Sequence, residues 1–394
     1  MRVNDEGIRN RSKIAEPPVW TAADCEKAIR YVLSQIDRNL ETFETAFPAP
    51  ASTRNVYKAI GNTEWTSSFW TGMLWLAYEA TGDEKYRRTA EVQLESYAKR
   101  AKERIGTETH DLGFLYTLSC VAAYKLTGNM EAKAVALQAA DLLIERYYDK
   151  AGIIQAWGNL SNPSQRGRMI VDCCMNLPLL YWATQMTGSP AYHRIADSHV
   201  RQSERYLIRE DASTYHTFYM DVESGLPKFG KTQQGYSDDS CWSRGQSWAM
   251  YGLPLSYRYT GNAELLDSAQ KVTNYFLNRL PDDYVCYWDL VFTEGNEERD
   301  SSAAAIAACA LLELAGHLPL TNGNKRLYEN AALHILQSLS SSYTTRSVPE
   351  SNGILLHGVY GKPLNHGVDE CCIWGDYYYF EALVRVMKDW KPYW

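Results

Sequence analysis

Two kinds of helical sequence alternate along the chain, and they differ in where their apolar residues stand. The first kind is amphipathic: within residues 131–147, Ala136 and Leu143 share one face, while charged residues occupy the rest of the surface. The second kind is apolar nearly all round, as in residues 111–124 and 301–315. An amphipathic helix keeps one face in water, whereas a helix that is apolar all round is covered on every side. The alternation therefore predicts two concentric layers of helices.

Counting both kinds of helix predicts an all-α fold, an (α/α)6 barrel of six helical hairpins. The outer helices are expected near residues 24–44, 84–103, 131–147, 190–208, 263–279 and 325–340. The inner helices are expected near residues 66–80, 111–126, 171–186, 243–259, 301–316 and 373–388. An open helical solenoid is the alternative, but unequal repeat spacing favours a closed ring. One domain is expected over residues 1–394, with residues 1–20 as a poorly defined N-terminal arm.

A short turn motif joins each inner helix to the next outer helix. An apolar run ends in Thr-Gly, at Gly82, Gly128, Gly188 and Gly261, and a looser copy spans residues 314–331. Glycine supplies the left-handed residue that ends a helix, and the Asp, Asn or Ser that follows can cap the next one. The connections from outer to inner helices are often much longer. They all leave the barrel at the end where the inner helices begin, so functional residues are expected there.

Composition narrows the class of protein. The net charge of −7 makes nucleic acid an unexpected partner, and no apolar run approaches the roughly 18 residues of a membrane span. The first residues, MRVNDEGIRNRSK, lack the apolar core of a secretory signal. The nine cysteines form no C-x-x-C pair and predict reduced core thiols in a cytoplasmic protein. The 12 Trp and 28 Tyr residues suit sugar binding, although large cores also use aromatic residues.

Polar residues at the starts of the inner helices are the candidates for chemistry. Asp172 and Asp111 each precede an apolar helix, where burial would raise the pKa of a carboxyl group and Arg168 would lower that of Asp172. Capping of the helix is the structural alternative for both residues. Asp300 and Asp376 are interpreted as caps or supporting groups. No His/Cys pattern typical of zinc and no phosphate loop is present, so neither a metal nor a cofactor is expected.

Several further residues are candidates for the walls of the same pocket. Arg244 precedes an apolar helix and needs an anionic partner, which could be a substrate carboxylate or a protein carboxylate. His216 lies in a strand-like segment, and Gln234, Trp242 and Trp248 could be pocket walls or core residues. A pair of carboxylates in an aromatic pocket indicates carbohydrate chemistry by general acid and base.

The sequence resembles the unsaturated glucuronyl hydrolases of glycoside hydrolase family 88 at eight segments spread over nearly the whole chain. These segments are TEWTSSFWTGMLWLAYE (63–79), HDLGFLYTLS (110–119), GIIQAWG (152–158), GRMIVDCCMNLPLLYWA (167–183), YHTFYMD (215–221), WSRGQSWAMYG (242–252), RDSSAAAI (299–306) and IWGDYYYFEAL (373–383). The resemblance implies an (α/α)6 barrel. It also implies a hydrolase that acts on the C4=C5 double bond of the uronic acid left by a polysaccharide lyase.

The resemblance also implies roles for individual residues. Asp172 would donate a proton to C4 and help water to add at C5, and Asp111 would assist near the ring hydroxyls. The sugar site would be lined by Trp157, His216, Gln234, Trp242, Arg244 and Trp248, with Arg244 holding the uronate carboxylate. Unsaturated disaccharides and short oligosaccharides would be the partners, with the protein itself a monomer or homodimer.

One departure from the family pattern concerns sulfated substrates. Members that favour sulfated glycosaminoglycan fragments carry Ser-x-x-Ser-x-Lys before the last inner helix, whereas this chain has Gly361-Lys362-Pro363-Leu364-Asn365-His366. A preference for unsulfated or weakly sulfated disaccharides is therefore predicted. Three alternatives to the main interpretation stay open: an unsaturated rhamnogalacturonyl hydrolase acting on pectin fragments, a sugar 2-epimerase using His110, and a sugar-binding protein without catalysis.

Overall fold

The computed structural model describes residues 3–394, and their helices form two layers around a common axis. In chain order the α-helices are α1 (Ala22–Asn39), α2 (Ser67–Thr81), α3 (Glu84–Glu103), α4 (Leu112–Tyr116), α5 (Ala122–Thr127), α6 (Met130–Ile144), α7 (Pro178–Thr187), α8 (Pro190–Tyr206), α9 (Ser243–Thr260), α10 (Ala263–Leu277), α11 (Ser301–His317), α12 (Lys325–Ser342) and α13 (Ile373–Met387). The outer layer is α1, α3, α6, α8, α10 and α12. The inner layer is α2, α4 with α5, α7, α9, α11 and α13. The ring closes because α13 packs against both α1 and α2, which confirms the predicted (α/α)6 barrel.

The turns between inner and outer helices have the predicted construction at four of the five motifs. Gly82, Gly128, Gly188 and Gly261 all have φ between 66° and 72°, in the left-handed region that glycine adopts without steric cost. The next residue caps the following helix with its side chain in every case, through Asp83, Asn129, Ser189 and Asn262. The looser fifth copy differs, since α11 ends at an extended residue and Asn324 makes no side-chain cap.

Short antiparallel strands decorate the long connections from outer to inner helices. They are β1 (Phe47–Pro48), β2 (Ala59–Ile60), β3 (Tyr147–Tyr148), β4 (Ile153–Ile154), β5 (Arg168–Ile170), β6 (Thr217–Met220), β7 (Pro227–Lys231), β8 (Gly358–Gly361) and β9 (His366–Glu370). Strands β5, β6 and β7 form one three-stranded sheet, and the others pair as β1–β2, β3–β4 and β8–β9. Short 3-10 turns occur at Arg11–Ile14, Thr345–Ser347 and Lys362–Leu364. This strand-rich rim surrounds the barrel end where the inner helices begin.

Two inner helices contain irregular turns. A π-helical turn at Thr117–Val121 separates α4 from α5, and a 3-10 turn at Val171–Met175 replaces the predicted first turn of α7. This 3-10 turn is here named the acid turn. Glycines on two neighbouring inner helices pack closely against it and against the residue that follows it. A Cβ at Gly113 would come within 2.3 Å of Asn176, and a Cβ at Gly252 within 2.4 Å of Cys174. Only glycine allows both neighbouring helices to approach so closely.

Aromatic side chains fill the centre of the barrel below the acid turn. The Trp394 ring stacks on Tyr378 with centroids 6.0 Å apart, and its indole donates a hydrogen bond to Glu381 at 2.8 Å. Phe114 lies edge-on to Trp394 at 6.0 Å. Large flat rings occupy a wide central space that aliphatic side chains would fill less completely, and each contributes a large buried apolar area. This aromatic core therefore packs against the inner helices whose first residues carry the candidate polar groups.

The described part of the N-terminal arm packs against the outer helices. Over residues 3–20 it lies along α10 and α12, where Ile8 and Ile14 are at most 8% exposed. The guanidinium of Arg11 donates a hydrogen bond to Asn324 at 2.8 Å, and Asn278 accepts one from the backbone of Arg9. Apolar anchoring and these polar contacts together hold the described part of the arm against the outer helices.

All nine cysteines are buried and free, as expected from their apolar surroundings. No helix among residues 3–394 combines the length and apolarity required to cross a membrane.

Candidate active site

Asp172 lies on the acid turn with its side chain directed away from any capping position. Its side chain accepts no hydrogen bond from the backbone ahead of α7, and its Oδ1 atom is buried without a partner in the described part of the chain. Burial and the negative charge of Asp111 together raise the pKa of this carboxyl group to about 7, and the positive charge of Arg244 acts in the opposite direction. A carboxyl group that carries a proton near neutral pH can act as a general acid.

Asp111 occupies the N-cap position of α4, yet its carboxylate caps no backbone amide. Instead, Oδ2 accepts a hydrogen bond from the hydroxyl of Thr109 at 2.7 Å, and Oδ1 lies 3.3 Å from Nε2 of His110. Burial lowers the pKa of His110, so its imidazole is neutral. The Asp111 side chain remains 13% exposed. Neither candidate carboxylate is therefore a helix cap, which was the structural alternative for both.

Arg244 is held by protein acceptors on almost every side. Its guanidinium lies 3.3 Å from the carboxylate of Asp300 and donates hydrogen bonds to Gln234 at 2.8 Å and to the carbonyls of Val359 and Tyr360. Asp300 also caps α11 as the sequence suggested. The permanent partner is thus a protein carboxylate. One donor, Nε, is buried without a partner among the described residues.

His216, Gln234 and Trp242 form one connected group around Arg244. The Nδ1 atom of His216 accepts hydrogen bonds from the backbone of Gln233 at 3.0 Å and of Gln234 at 3.3 Å. Its ring packs on Trp242 at 4.4 Å, and the guanidinium of Arg244 lies 4.3 Å from the Trp242 ring. Burial and nearby guanidinium charges lower the pKa of His216 to about 3. The imidazole is therefore neutral and carries its proton on Nε2.

Trp157 is half-buried, and the guanidinium of Arg168 lies 4.9 Å from the centre of its ring. Arg168 also donates a hydrogen bond to the hydroxyl of Tyr219 at 2.7 Å. The sequence suggested that Arg168 would lower the pKa of Asp172, but the cation that acts on this carboxyl group is Arg244. Arg168 instead orients aromatic groups.

Trp248 is fully buried among other aromatic residues. Its side chain is 0% exposed, and it packs on Phe114 at 5.2 Å and on Tyr378 at 5.5 Å. The structure therefore places Trp248 in the aromatic core beneath the pocket and not on its open wall, because α9 turns this side chain inward one and a half turns after it begins. A core position was the alternative given for this residue.

Three further aromatic residues, Trp65, Tyr360 and Trp374, form a cluster beside Arg244. Trp65 is half-buried, stacks on Trp374 at 5.3 Å and 28°, and donates a hydrogen bond to the hydroxyl of Tyr360 at 2.8 Å. The Trp374 ring also contacts Arg244 at 4.8 Å. Trp65 and Trp374 stand at the starts of inner helices, which is a detectable signal. Tyr360 belongs to the β8–β9 hairpin, and nothing in its local sequence points to the site.

The β8–β9 hairpin carries the residues at which this chain departs from the sulfate-associated motif. The ammonium group of Lys362 lies 2.7 Å from Glu297 and also contacts Glu298, so its charge is already compensated. His366 is exposed, and its ring lies 4.6 Å from Tyr360. No cluster of three or more His, Cys, Asp or Glu side chains that could hold a metal ion occurs within residues 3–394.

Comparison with known proteins places this geometry in context. A family model described as Glycosyl Hydrolase Family 88 matches residues 39–391. An unsaturated chondroitin disaccharide hydrolase from Streptococcus pneumoniae (strain ATCC BAA-255 / R6) is 48% identical over 394 residues, which is 100% of this chain and 99% of that protein.

Solved structures agree with the sequence comparison. The crystal structure of an unsaturated glucuronyl hydrolase from Streptococcus agalactiae has a TM-score of 0.97 at 44% identity, with 100% of this chain and 99% of that chain covered. A mutant of the Streptococcus agalactiae enzyme in complex with dGlcA-GalNAc6S has a TM-score of 0.90 at 42% identity, with the same coverage.

Proposed function

The chain belongs to glycoside hydrolase family 88, and we propose that it releases the unsaturated uronic acid from the non-reducing end of glycosaminoglycan fragments made by polysaccharide lyases. It is a glycosidase of the unsaturated glucuronyl hydrolase type. The observation that carries the proposal is the unpartnered oxygen of Asp172, a carboxyl group whose pKa is raised to about 7.

The proposed reaction is hydration of a vinyl ether. The C4=C5 double bond is electron-rich at C4 because the ring oxygen on C5 donates into it. Protonated Asp172 gives its proton to C4, and the positive charge that develops at C5 is stabilised by that ring oxygen. Water adds to C5 and returns a proton to the Asp172 carboxylate, which restores the acid. The resulting hemiketal opens, and the hemiacetal left at C1 releases the neighbouring sugar.

The raised pKa of Asp172 suits this acid–base cycle. A group with a pKa close to the working pH is present in part as acid and in part as base, so it can give and then take a proton in one turnover. Burial provides most of the effect, and the charge of Asp111 strengthens it. Asp111, fixed by Thr109 and His110, is proposed to accept hydrogen bonds from ring hydroxyls.

The substrate carboxylate is proposed to bind at Arg244. Its Nε is the unpartnered donor of the guanidinium, and the positive charge suits a uronate. Trp242 and the half-buried Trp157 and Trp65 offer flat apolar surfaces for the C–H faces of the sugar rings. His216, held with its Nε2–H outward from the two backbone donors, and Gln234 are proposed to contact hydroxyl groups.

The alternatives are less consistent with the site and with the relatives. A sugar 2-epimerase would need His110 as an acid or base, but His110 is 1% exposed and burial lowers its pKa. A pectin-directed rhamnogalacturonyl hydrolase would share the fold and the chemistry, yet the relative from Streptococcus pneumoniae is named for chondroitin disaccharide. A sugar-binding protein would have no use for an unpartnered carboxyl group with a pKa near neutrality.

The proposal is tested by following the ultraviolet absorbance of the conjugated uronate in a lyase-derived chondroitin disaccharide. We expect the wild-type protein to remove this absorbance and Asp172→Asn to leave it unchanged. An unchanged absorbance with the wild-type protein would reject the chondroitin disaccharide as a substrate, and a pectin-derived disaccharide would be tested next. Equal loss with both proteins would move the acid role away from Asp172.

We further propose a cytoplasmic enzyme that is a monomer or homodimer and forms one domain. The location is supported by nine free and buried cysteines, since thiols stay reduced in the cytoplasm. The single domain is supported by the ring of inner helices, which α13 closes against α2.

A further inference from the structure

Asn176 links the two candidate catalytic carboxylates through the protein backbone. Its side chain is 0% exposed and lies directly after the acid turn. The amide oxygen accepts a hydrogen bond from the backbone N–H of Phe114 at 2.7 Å, and the amide nitrogen donates to the carbonyl oxygen of Asp172 at 3.2 Å. One side chain therefore joins the start of α4, which carries Asp111, to the turn that carries Asp172.

The contact with Phe114 replaces a cap that Asp111 would otherwise provide. Asp111 stands at the N-cap of α4, and Phe114 is the third residue of this helix. An N-cap carboxylate normally accepts a hydrogen bond from the backbone N–H at that third position. Asp111 makes no such bond, and its carboxylate is engaged by Thr109 and His110. The amide oxygen of Asn176, between the acid turn and α7, accepts the hydrogen bond from the N–H of Phe114. The Asp111 carboxylate is therefore free to face the pocket.

The packing around Asn176 shows that this link is tight. A Cβ at Gly113 would lie 2.3 Å from the Cα and 2.4 Å from the carbonyl oxygen of Asn176. The two backbones are therefore in direct contact, and the Asn176 amide bridges them. A buried amide whose oxygen and nitrogen are both used fixes the separation of the segments that it joins.

We propose that Asn176 is a positioning residue that frees Asp111 from helix capping and sets the distance between the carboxylates of Asp111 and Asp172. This inference rests on the proposed function for its kinetic consequences. Its structural part, the release of Asp111, is independent of the substrate.

Replacement of Asn176 by alanine leaves the N–H of Phe114 without an acceptor. The Asp111 carboxylate is then expected to rotate onto this N–H, because an unsatisfied buried donor is costly and an N-cap aspartate can reach it. Withdrawal of Asp111 from the pocket should lower kcat by roughly 100-fold, the effect of an ångström-scale misplacement of a catalytic group. KM should change much less, since Arg244 and the aromatic walls stay in place.

A second variant gives a pH signature that loss of packing alone does not produce. In Asn176→Asp, the new carboxyl group can still accept from Phe114, but it can donate to the carbonyl of Asp172 only when it is protonated. The activity of this variant relative to the wild type should therefore rise as the pH falls. A ratio independent of pH would contradict the link to Asp172.

The decisive experiment measures kcat, KM and Tm for Asn176→Ala, for Asp111→Asn and for the double variant. Asn274→Ala is the matched control, because Asn274 is also 0% exposed and uses both amide atoms, with Asp5 and Tyr328, away from the site. We expect the control to lose Tm but not kcat. We expect the Asn176 effect on kcat to shrink several-fold when Asp111 is already Asn. Equal losses of kcat in Asn176→Ala and Asn274→Ala, or an undiminished effect in the double variant, would overturn the inference.

Failure of the proposed function would be recognised separately. A wild-type protein that leaves the disaccharide double bond intact rejects the function, and the crystal structure of Asn176→Ala then decides this inference alone. An Asp111 carboxylate within hydrogen-bonding distance of the N–H of Phe114 supports it. A carboxylate that keeps its contacts to Thr109 and His110 overturns it.

Discussion

Arg244 and Asp300 form an ion pair of 3.3 Å in which neither side chain is more than 1% exposed. Asp300 fixes the guanidinium from below and at the same time caps α11 through the backbone of Ser302 and Ala303. The cation that is proposed to bind the substrate is therefore oriented before any ligand arrives. Such preorganisation saves the entropy of ordering a flexible side chain on binding.

Substitution of Asp300 should be costly for stability. In Asp300→Asn the cap can be kept, but Arg244 becomes a buried cation without its counter-charge, and removal of one member of a buried pair costs about 3–5 kcal/mol. We expect a loss of this size in the free energy of unfolding by chemical denaturation. Asp83→Asn, which changes an exposed cap of α3 in the same way, should have little effect. Similar losses in the two variants would contradict the importance of the pair.

Arg244→Ala should weaken substrate binding. A hydrogen bond to a charged group contributes about 1.5–3 kcal/mol, so affinity for the unsaturated disaccharide should fall by roughly 10- to 100-fold. The dissociation constant is best measured by calorimetry in an Asp172→Asn background, where turnover does not interfere. An unchanged dissociation constant would remove Arg244 from the proposed carboxylate site.

Asp172→Asn should separate activity from stability. Loss of the general acid is expected to lower kcat by about 10²–10⁴-fold. The pKa of Asp172 is raised from 3.8 to about 7 in the folded protein, so the folded state holds this proton more tightly than the unfolded chain does. Relative to Asp172→Asn, the wild type should therefore be most stable below about pH 4 and lose stability as the pH rises to about 7. Denaturation midpoints that run parallel over this range would contradict the raised pKa.

The pH dependence of kcat/KM should report the same carboxyl group. If protonated Asp172 is the acid, activity should fall on the alkaline side with an apparent pKa of about 7. The negative charge of Asp111 contributes to this raised pKa, so Asp111→Asn should move the alkaline limb to lower pH as well as reduce the rate. The profile is measured with the disaccharide at concentrations far below KM. An alkaline limb that stays in place would show that the two carboxylates do not interact.

The preference for unsulfated substrates should depend on the neighbours of Lys362. Because Glu297 and Glu298 compensate its charge, kcat/KM should be higher for an unsulfated chondroitin disaccharide than for its 6-sulfated form. A double change, Glu297→Gln with Glu298→Gln, should free the ammonium group and reduce this preference several-fold, since exposed charge contacts contribute about 0.2–1 kcal/mol each. Glu294→Gln, on the same loop, serves as the charge control. A higher kcat/KM for the sulfated substrate in the wild type would reject the predicted preference.

Local sequence was sufficient wherever the structure depends on near neighbours. The turns at Gly82 and Gly128, with the caps at Asp83 and Asn129, follow from the conformational freedom of glycine and the capping ability of short polar side chains. Helices that are apolar on every face then define the inner layer, and amphipathic helices define the outer layer. The barrel was predictable because the pair of helix types occurs six times along the chain, with the glycine turn and its cap at four of the connections.

Local sequence was insufficient wherever distant segments touch. The 3-10 acid turn exists because Gly113 and Gly252 bring α4 and α9 against it, and neither contact is visible along the chain. Lys362 is likewise paired with residues about 65 positions earlier. The direction of the Trp248 side chain depends on how α9 is rotated in the ring. The role of Asn176 could not be predicted because an isolated Asn among apolar residues carries no local signal.

The rates at which the free cysteines are alkylated should report how the closed ring unfolds. Cys25 lies at the seam where α1 meets α13, and its thiol donates a hydrogen bond to the carbonyl of Leu383. Cys371 and Cys372 directly precede α13, whereas Cys173 and Cys174 lie on the acid turn. Burial raises the pKa of all five thiols, so the native protein should resist alkylating reagents, and modification should require that the chain open. An open solenoid would fray from its ends, and the seam thiols would react first. A closed ring has no ends to fray, so alkylation followed by mass spectrometry should show the seam and the acid turn becoming reactive at a single shared rate.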